Sequence, residues 1–282
     1  MHASWNLVAR STRAEAAVIG RMAIFLAVAG FLPALVAEFH LRCLTRDVVF
    51  YAIAAGGACG LYFYTLSRGY ASGDFTVVYP IARALPVLVI GLWDAGRGRP
   101  PTMLGWLGMA LVALGCVAVP QRSFSDLRLS RYFNKSSIWI LGTAGGTIIY
   151  SMLDKLGQEN IAAGPGAGPG QAAVYGYVFY VSAGVVYFIV CRLFGGIAKP
   201  TKDPGWRVPA LTGSLSFASY WLILWVYQMT PRASYVVAFR QFSIVVGVVV
   251  AFILFGEAGR RIRTIGAFVI AGGLIVLQVW GG

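Results

Sequence analysis

Arg83 within 75–93 and Arg240 within 233–256 stand inside otherwise apolar runs of this 282-residue chain. At the middle of a hydrophobic helix a guanidinium costs roughly 2.5 to 3.5 kcal/mol. A sequence that keeps two of them has a use for the planar fork of donors. That fork holds a carboxylate, a phosphate or a similar anion through paired hydrogen bonds. Around the first arginine, Tyr79-Pro80-Ile81-Ala82-Arg83-Ala84-Leu85-Pro86 removes two helix donors and leaves the carbonyls of Thr76 and Ala82 without their usual partners. Such a run belongs beside a cavity or against protein neighbours. Pro80 and Pro86 are therefore the expected helix-breaking or gating positions, and Arg83, Arg240 and Tyr79 the expected substrate contacts. Tyr64, Tyr150, Tyr220 and Tyr227 are further candidates to line the site, with Tyr62, Ser67 and Ser216 near them in sequence.

Other chemistries have little to build on. The histidines are His2 and His40, and the four cysteines form no CxxC pair. Neither a metal centre nor a nucleophilic triad is expected, no cofactor is implied, and the cysteines read as small hydrophobes. An integral membrane enzyme needs clustered carboxylates near the headgroups, and the closest acid–base pair is Asp154-Lys155 at the end of an apolar run; the chain is read as no enzyme. Asp74, Asp94, Asp154 and Glu257 all fall at ends of apolar runs, so no carboxylate is expected in mid-span. Glu257, close to Arg260 and Arg261, is expected to stay ionised and to act as a gate or structurally.

The elements that must position these residues are helices in a membrane. The chain is 58% hydrophobic and 12% charged, with a mean hydropathy of +0.73, whereas a soluble domain runs near half apolar and about a quarter charged. A bilayer core about 30 Å thick asks for roughly 20 apolar residues per helix. Nine stretches answer that description: 16–37, 48–66, 75–93, 102–120, 136–153, 172–191, 208–229, 233–256 and 264–281. His2 to Ala9 reads as the tail of a first, truncated helix, giving a ten-helix bundle. These unbroken runs do not alternate as the strands of a membrane barrel do. The net charge of +13 sits in loops and does not call for a nucleic acid. Connectors assigned to one face carry fifteen Lys and Arg against six on the other, so the first face is expected to be cytoplasmic. The connector 121–135 separates a first repeat, 1–120, from a second, 136–282. With five helices in each, the second must enter the membrane in the opposite direction, the inverted repeat of a transporter. Each repeat closes on a helix rich in small residues, Gly105, Gly108 and Gly115 in one and Gly266, Gly272 and Gly273 in the other. The pairs Gly56/Gly60 and Gly142/Gly146 have the spacing of close helix contacts.

The chain resembles the EamA-type members of the drug/metabolite transporter superfamily over essentially its whole length. The resemblance is carried by His2-Ala3-Ser4-Trp5-Asn6, by Arg68-Gly69-Tyr70-Ala71-Ser72-Gly73-Asp74 leading to Tyr79-Pro80-Ile81-Ala82-Arg83, by Thr230-Pro231-Arg232-Ala233-Ser234-Tyr235-Val236 leading to Arg240, and by Phe255-Gly256-Glu257. It implies ten helices in two inverted five-helix repeats, a central cavity bordered by the third, fourth, eighth and ninth, and a multi-pass protein of the plasma or inner membrane that carries a metabolite. Two departures stand out: the first helix lacks its first half, and Trp93-Asp94-Ala95-Gly96 stands where the second repeat has Phe255-Gly256-Glu257. The expected function is a secondary transporter moving a small metabolite with an anionic or zwitterionic group by alternating access. A flippase for polyprenyl-linked lipids, also found in that superfamily, and a non-transporting membrane scaffold are the alternatives. The expected partners are a small-molecule substrate and the lipid bilayer; the oligomeric state is open.

Overall fold

The computed structural model describes residues 15–71, 75–119, 121, 137–164, 166–195, 205–255 and 260–281. His2, Trp5 and Glu257 lie outside the described residues, as do the side chains of Tyr79 and Pro80. Among the described residues all regular structure is α-helical: α1 Glu15–Leu41, α2 Arg46–Ala71, α3 Phe75–Gly96, α4 Met103–Ala118, α5 Ser137–Ala163, α6 Pro169–Phe194, α7 Arg207–Met229, α8 Ala233–Arg240, α9 Phe242–Phe255 and α10 Arg260–Trp280. Long apolar runs become helices because backbone polar groups inside a bilayer have no water to bond, and a helix pairs them within one segment. Among the described residues five segments are long and apolar enough to cross a membrane: Ala17–Leu41, Arg46–Gly69, Pro169–Phe194, Arg207–Met229 and Arg261–Trp280. The chain is an all-α membrane protein, and its outward face is apolar accordingly: Val28, Leu32 and Phe39 of α1 are 74, 65 and 73% exposed.

Two elements differ from the sequence expectation. The helix expected to leave the membrane at 153 continues as α5 to Ala163, because Asp-Lys-Leu-Gly-Gln-Glu-Asn contains good helix formers and nothing that stops a helix before Gly164. Asp154 is therefore well inside a helix and not at its end. The run 233–256, expected as one helix, is interrupted at Gln241.

The chain forms two compact units, Met1–Ser67 with Ile149–Thr230, and Arg68–Ile148 with Pro231–Gly282. Each draws on both halves of the sequence. Inside a bilayer lipid tails are as apolar as leucine, so helices associate through close van der Waals packing at small residues. In the first unit α1 lies on α6, with Gly30 against Tyr177 and Ala23 against Gly184, and the Tyr177 hydroxyl donates to the Ala27 carbonyl at 3.0 Å. Gly60 brings α2 so near α6 that a Cβ there would lie 2.6 Å from the Ala183 oxygen. In the second unit the glycines of the two closing helices face one another: a Cβ on Gly108 of α4 would lie 2.8 Å from the Gly273 oxygen of α10, and one on Gly115 would lie 2.7 Å from the Gly266 oxygen. Thr102 caps α4, accepting the Gly105 N–H at 3.0 Å and donating to the Trp280 carbonyl at 3.1 Å.

Candidate functional site

In the second unit, Asp94 near the end of α3 is fully buried. Its carboxylate accepts the backbone N–H groups of Ala233 at 3.2 Å and Ser234 at 2.8 Å, and so caps the start of α8. The cap comes from another helix because Arg232, which precedes α8, has no side-chain acceptor. The adjoining loops are tied down as well. Arg232 donates to the Pro100 carbonyl at 3.1 Å and lies over the Tyr235 ring, while Tyr235 donates to the Gly281 carbonyl at 2.6 Å.

Arg240 is the last residue of α8 and is half-buried. Immediately after it the helix tightens: the Gln241 N–H turns to the Ala238 carbonyl at 3.0 Å, and the Ile244 N–H bonds the Gln241 carbonyl at 2.8 Å. The Val237 carbonyl, which a regular helix would give to the Gln241 N–H, accepts the Gln241 side-chain Nε2 at 3.1 Å. One amide thus repairs the break, and its Oε1 is left buried without a partner among the described residues, as is the Ser234 Oγ two turns earlier on the same face. Arg83, on α3, is half-buried and near enough to Cys116 of α4 for its charge to be felt there. The helix carrying it continues through Pro80 and Pro86, and Pro86 is buried. The irregular backbone of the two arginine-bearing segments is at Gln241, where no proline stands.

In the first unit, tyrosines from four helices converge. Tyr150 of α5 meets Tyr62 of α2 edge-on at 5.8 Å, and Phe179 of α6 and Tyr220 of α7 at 6.0 Å each. Phe179 stacks on Tyr220 at 4.9 Å. Tyr64 and Tyr227 are also buried, and Ser216 shares a 3.0 Å hydrogen bond with the Tyr180 hydroxyl. Beside these rings lies a polar network that the sequence reading did not anticipate. Asp154 is fully buried and accepts the Tyr175 hydroxyl at 2.9 Å and, through its other oxygen, the Tyr220 hydroxyl. Gly157 makes room for the first contact, since a Cβ there would lie 2.8 Å from the Tyr175 hydroxyl. Lys155, 2% exposed, donates to the carbonyls of Tyr227, at 2.8 Å, and Thr230, and pairs with Glu159 at 3.2 Å. A cation at the last carbonyls of α7 also meets the negative end of that helix dipole.

Gln158 completes the network. The Gly168 N–H donates to the Gln228 Oε1 at 2.8 Å, and the Gln228 Nε2 donates to the Gln158 Oε1 at 2.7 Å. A backbone N–H is always a donor, so this chain fixes both amide orientations and leaves the Gln158 Nε2 as a buried donor without a partner among the described residues. The signal in the sequence was the helical spacing of Asp154 with Gln158 and of Lys155 with Glu159, four residues apart, which places each pair on one face.

No protein-family model matches the chain, and none of the curated proteins compared with it matches. The arrangement must therefore be read by its chemistry. The first unit holds a buried carboxylate between two phenols beside an immobilised ammonium. The second holds a guanidinium at a helix interruption. Tyr64, Tyr150, Tyr220 and Tyr227 belong to the first unit, Arg83, Arg240 and Tyr79 to the second.

Proposed function

We propose that this chain is a secondary transporter that moves a small metabolite with an anionic or zwitterionic group by alternating access. Its architecture would be that of the EamA-type drug/metabolite transporters, with ten helices in two inverted five-helix repeats, as a multi-pass protein of the plasma or inner membrane. The observation that carries this reading is the interruption of the apolar run 233–256 directly after Arg240, with the break bridged by the Gln241 amide. Interrupted helices with polar groups at the break are how transporters expose ligating atoms at membrane depth, and a charge inside an apolar run needs a use to offset its cost. Neither an enzyme's catalytic set nor a cofactor enters the proposal.

Purified protein is screened by thermal shift against carboxylated, phosphorylated and zwitterionic metabolites, since a ligand of the folded state raises its stability by mass action. Hits are then tested for counterflow in proteoliposomes. Arg83→Ala and Arg83→Lys, at equal protein abundance, are expected to lose most of the uptake, because lysine keeps the charge without the planar fork. Parent-like uptake by both variants would remove Arg83 from the site, and counterflow of none of the metabolites that stabilise the protein would remove the transport reading.

A further inference from the structure

We propose that the junction of α8 and α9 is a two-state hinge, passing between the tightened register described above and a continuous α-helix, with Gln241 and Ser243 as the positioning residues that hold the tightened one. The hinge takes its use from the transport reading above and adds a moving part beside Arg240.

Two backbone N–H groups at the junction have each moved on by one carbonyl. In a continuous helix the Gln241 N–H bonds the Val237 carbonyl and the Ile244 N–H bonds the Arg240 carbonyl. Instead they bond Ala238, at 3.0 Å, and Gln241, at 2.8 Å, three residues back. That is the 3₁₀ pattern, which inside a helix often marks a hinge. Each carbonyl given up has taken a side-chain donor in exchange. Val237 accepts the Gln241 Nε2 at 3.1 Å, and Arg240 accepts the Ser243 hydroxyl at 2.9 Å. Side-chain donors and local 3₁₀ adjustment are how a helix in a bilayer re-satisfies freed backbone groups. Here the exchange is made twice within 237–244, a stretch with no proline or glycine to force it.

Both exchanges are local, since every donor and acceptor involved lies between Val237 and Ile244. The continuous register is reached when the two N–H groups take back the Val237 and Arg240 carbonyls and the two side chains let go. The tightened register carries a burden of its own, because it holds the Gln241 Oε1 buried without a partner among the described residues. Gains and costs on both sides keep such an element bistable. Per residue, a 3₁₀ helix rises about 0.5 Å more and winds about 20° further than an α-helix. From Gln241 to Ile244 the change therefore turns α9 against α8 by about 80° at most and shifts it by about 2 Å. Asp94 fixes the start of α8, and Arg240 ends that short helix. The two registers thus set Arg240 at different rotations to α9.

Nitroxides on the full chain in nanodiscs, attached through Phe239→Cys and Val246→Cys, flank the junction at positions 39 and 41% exposed. The four native cysteines are buried. Dipolar broadening reads the label separation with no substrate present. A continuous helix puts the two positions two turns apart on one side, at about 10.5 Å. The tightened register lengthens this by about 2 Å and swings the labels apart. The parent is expected to show the longer separation. Gln241→Leu combined with Ser243→Ala removes both side-chain donors and is expected to move most of the distribution to the shorter one. Each single variant is expected to move part of it, which decides the matter if the double variant does not fold. Ser243→Thr keeps the hydroxyl and is expected to keep the parent's distribution. The parent's distribution in all the donor-removing variants overturns the proposal, as does the shorter separation in the parent itself. In proteoliposomes, a variant held in the continuous register is expected to lose most of the solute exchange, and exchange at the parent's rate by such a variant overturns the proposal too. A register that shifts as expected in a protein that exchanges no solute leaves the hinge standing and removes the transport reading.

Discussion

The carboxylate of Asp94 and the backbone N–H of Ser234, 140 residues apart in the chain, meet at 2.8 Å and fix the start of α8, the short helix that ends in Arg240. Asp94→Ala leaves the N–H groups of Ala233 and Ser234 buried without an acceptor, at about 1–3 kcal/mol each. The expected loss is about 2–4 kcal/mol of stability, read as a lowered thermal midpoint in detergent. Asp94→Asn keeps one acceptor oxygen and is expected to lose less. A midpoint unchanged in Asp94→Ala would show that α8 does not depend on this cap.

Neighbouring glycines on α10 are expected to answer oppositely to the same substitution. A Cβ at Gly273 would lie 2.7 Å from the Gly108 oxygen, whereas one at Gly272 meets nothing within 4 Å. Gly273→Ala must push α4 and α10 apart and is expected to destabilise by about 1–3 kcal/mol, as overpacking does. Gly272→Ala is expected to stabilise by about 0.5–1 kcal/mol through the restricted backbone of the unfolded chain. Equal thermal midpoints for the two variants would contradict the close approach.

Lys155 is bonded to two carbonyls at the end of α7 and to Glu159. Lys155→Met takes the donor away from these carbonyls and the cation away from Glu159, and breaking a buried pair in this way costs about 3–5 kcal/mol. The double variant Lys155→Met with Glu159→Gln is expected to recover part of that loss, so the coupling appears as non-additivity in a double-mutant cycle. Strict additivity would show the ion pair to be energetically silent.

Cys43 lies between α1 and α2, outside both membrane-spanning helices, and is inaccessible to solvent. Burial pushes its thiol up from 9.0 to about 12, and the Glu38 carboxylate, which accepts both the thiol at 3.2 Å and the Cys43 N–H at 3.1 Å, acts in the same direction. The folded state therefore holds this proton more tightly than the unfolded state. The stability linked to it is complete below pH 9.0 and falls as pH rises towards about 12. Peptide mapping after N-ethylmaleimide treatment at neutral pH is expected to find Cys43 unmodified in folded protein and modified after denaturation. Rapid modification of the folded protein would contradict the buried, protonated thiol.

Hydropathy alone was enough to establish the class of molecule, because a bilayer demands long apolar helices and the requirement is met residue by residue within each segment. The two embedded arginines were equally visible, since a charge in an apolar run stands out against its immediate neighbours. Glycines at 105, 108 and 115 and at 266, 272 and 273 were visible as a pattern, but a pattern does not say that Gly108 and Gly273 face each other across one interface. Asp154 shows the limit most clearly. Read along the chain, Asp-Lys-Leu-Gly-Gln-Glu-Asn resembles an exit into water. Packed against α6 and α7 it becomes a buried network, because Tyr175 and Tyr220 supply the phenols and the end of α7 supplies the carbonyls. The interruption at Gln241 arises in the same way. No proline or glycine marks it in the sequence, and the Gln241 amide that bridges it is a helix-compatible residue until folding buries it. Periodicity and composition are local properties of a segment, whereas the burial of a polar group depends on partners that the chain delivers from tens to more than a hundred residues away.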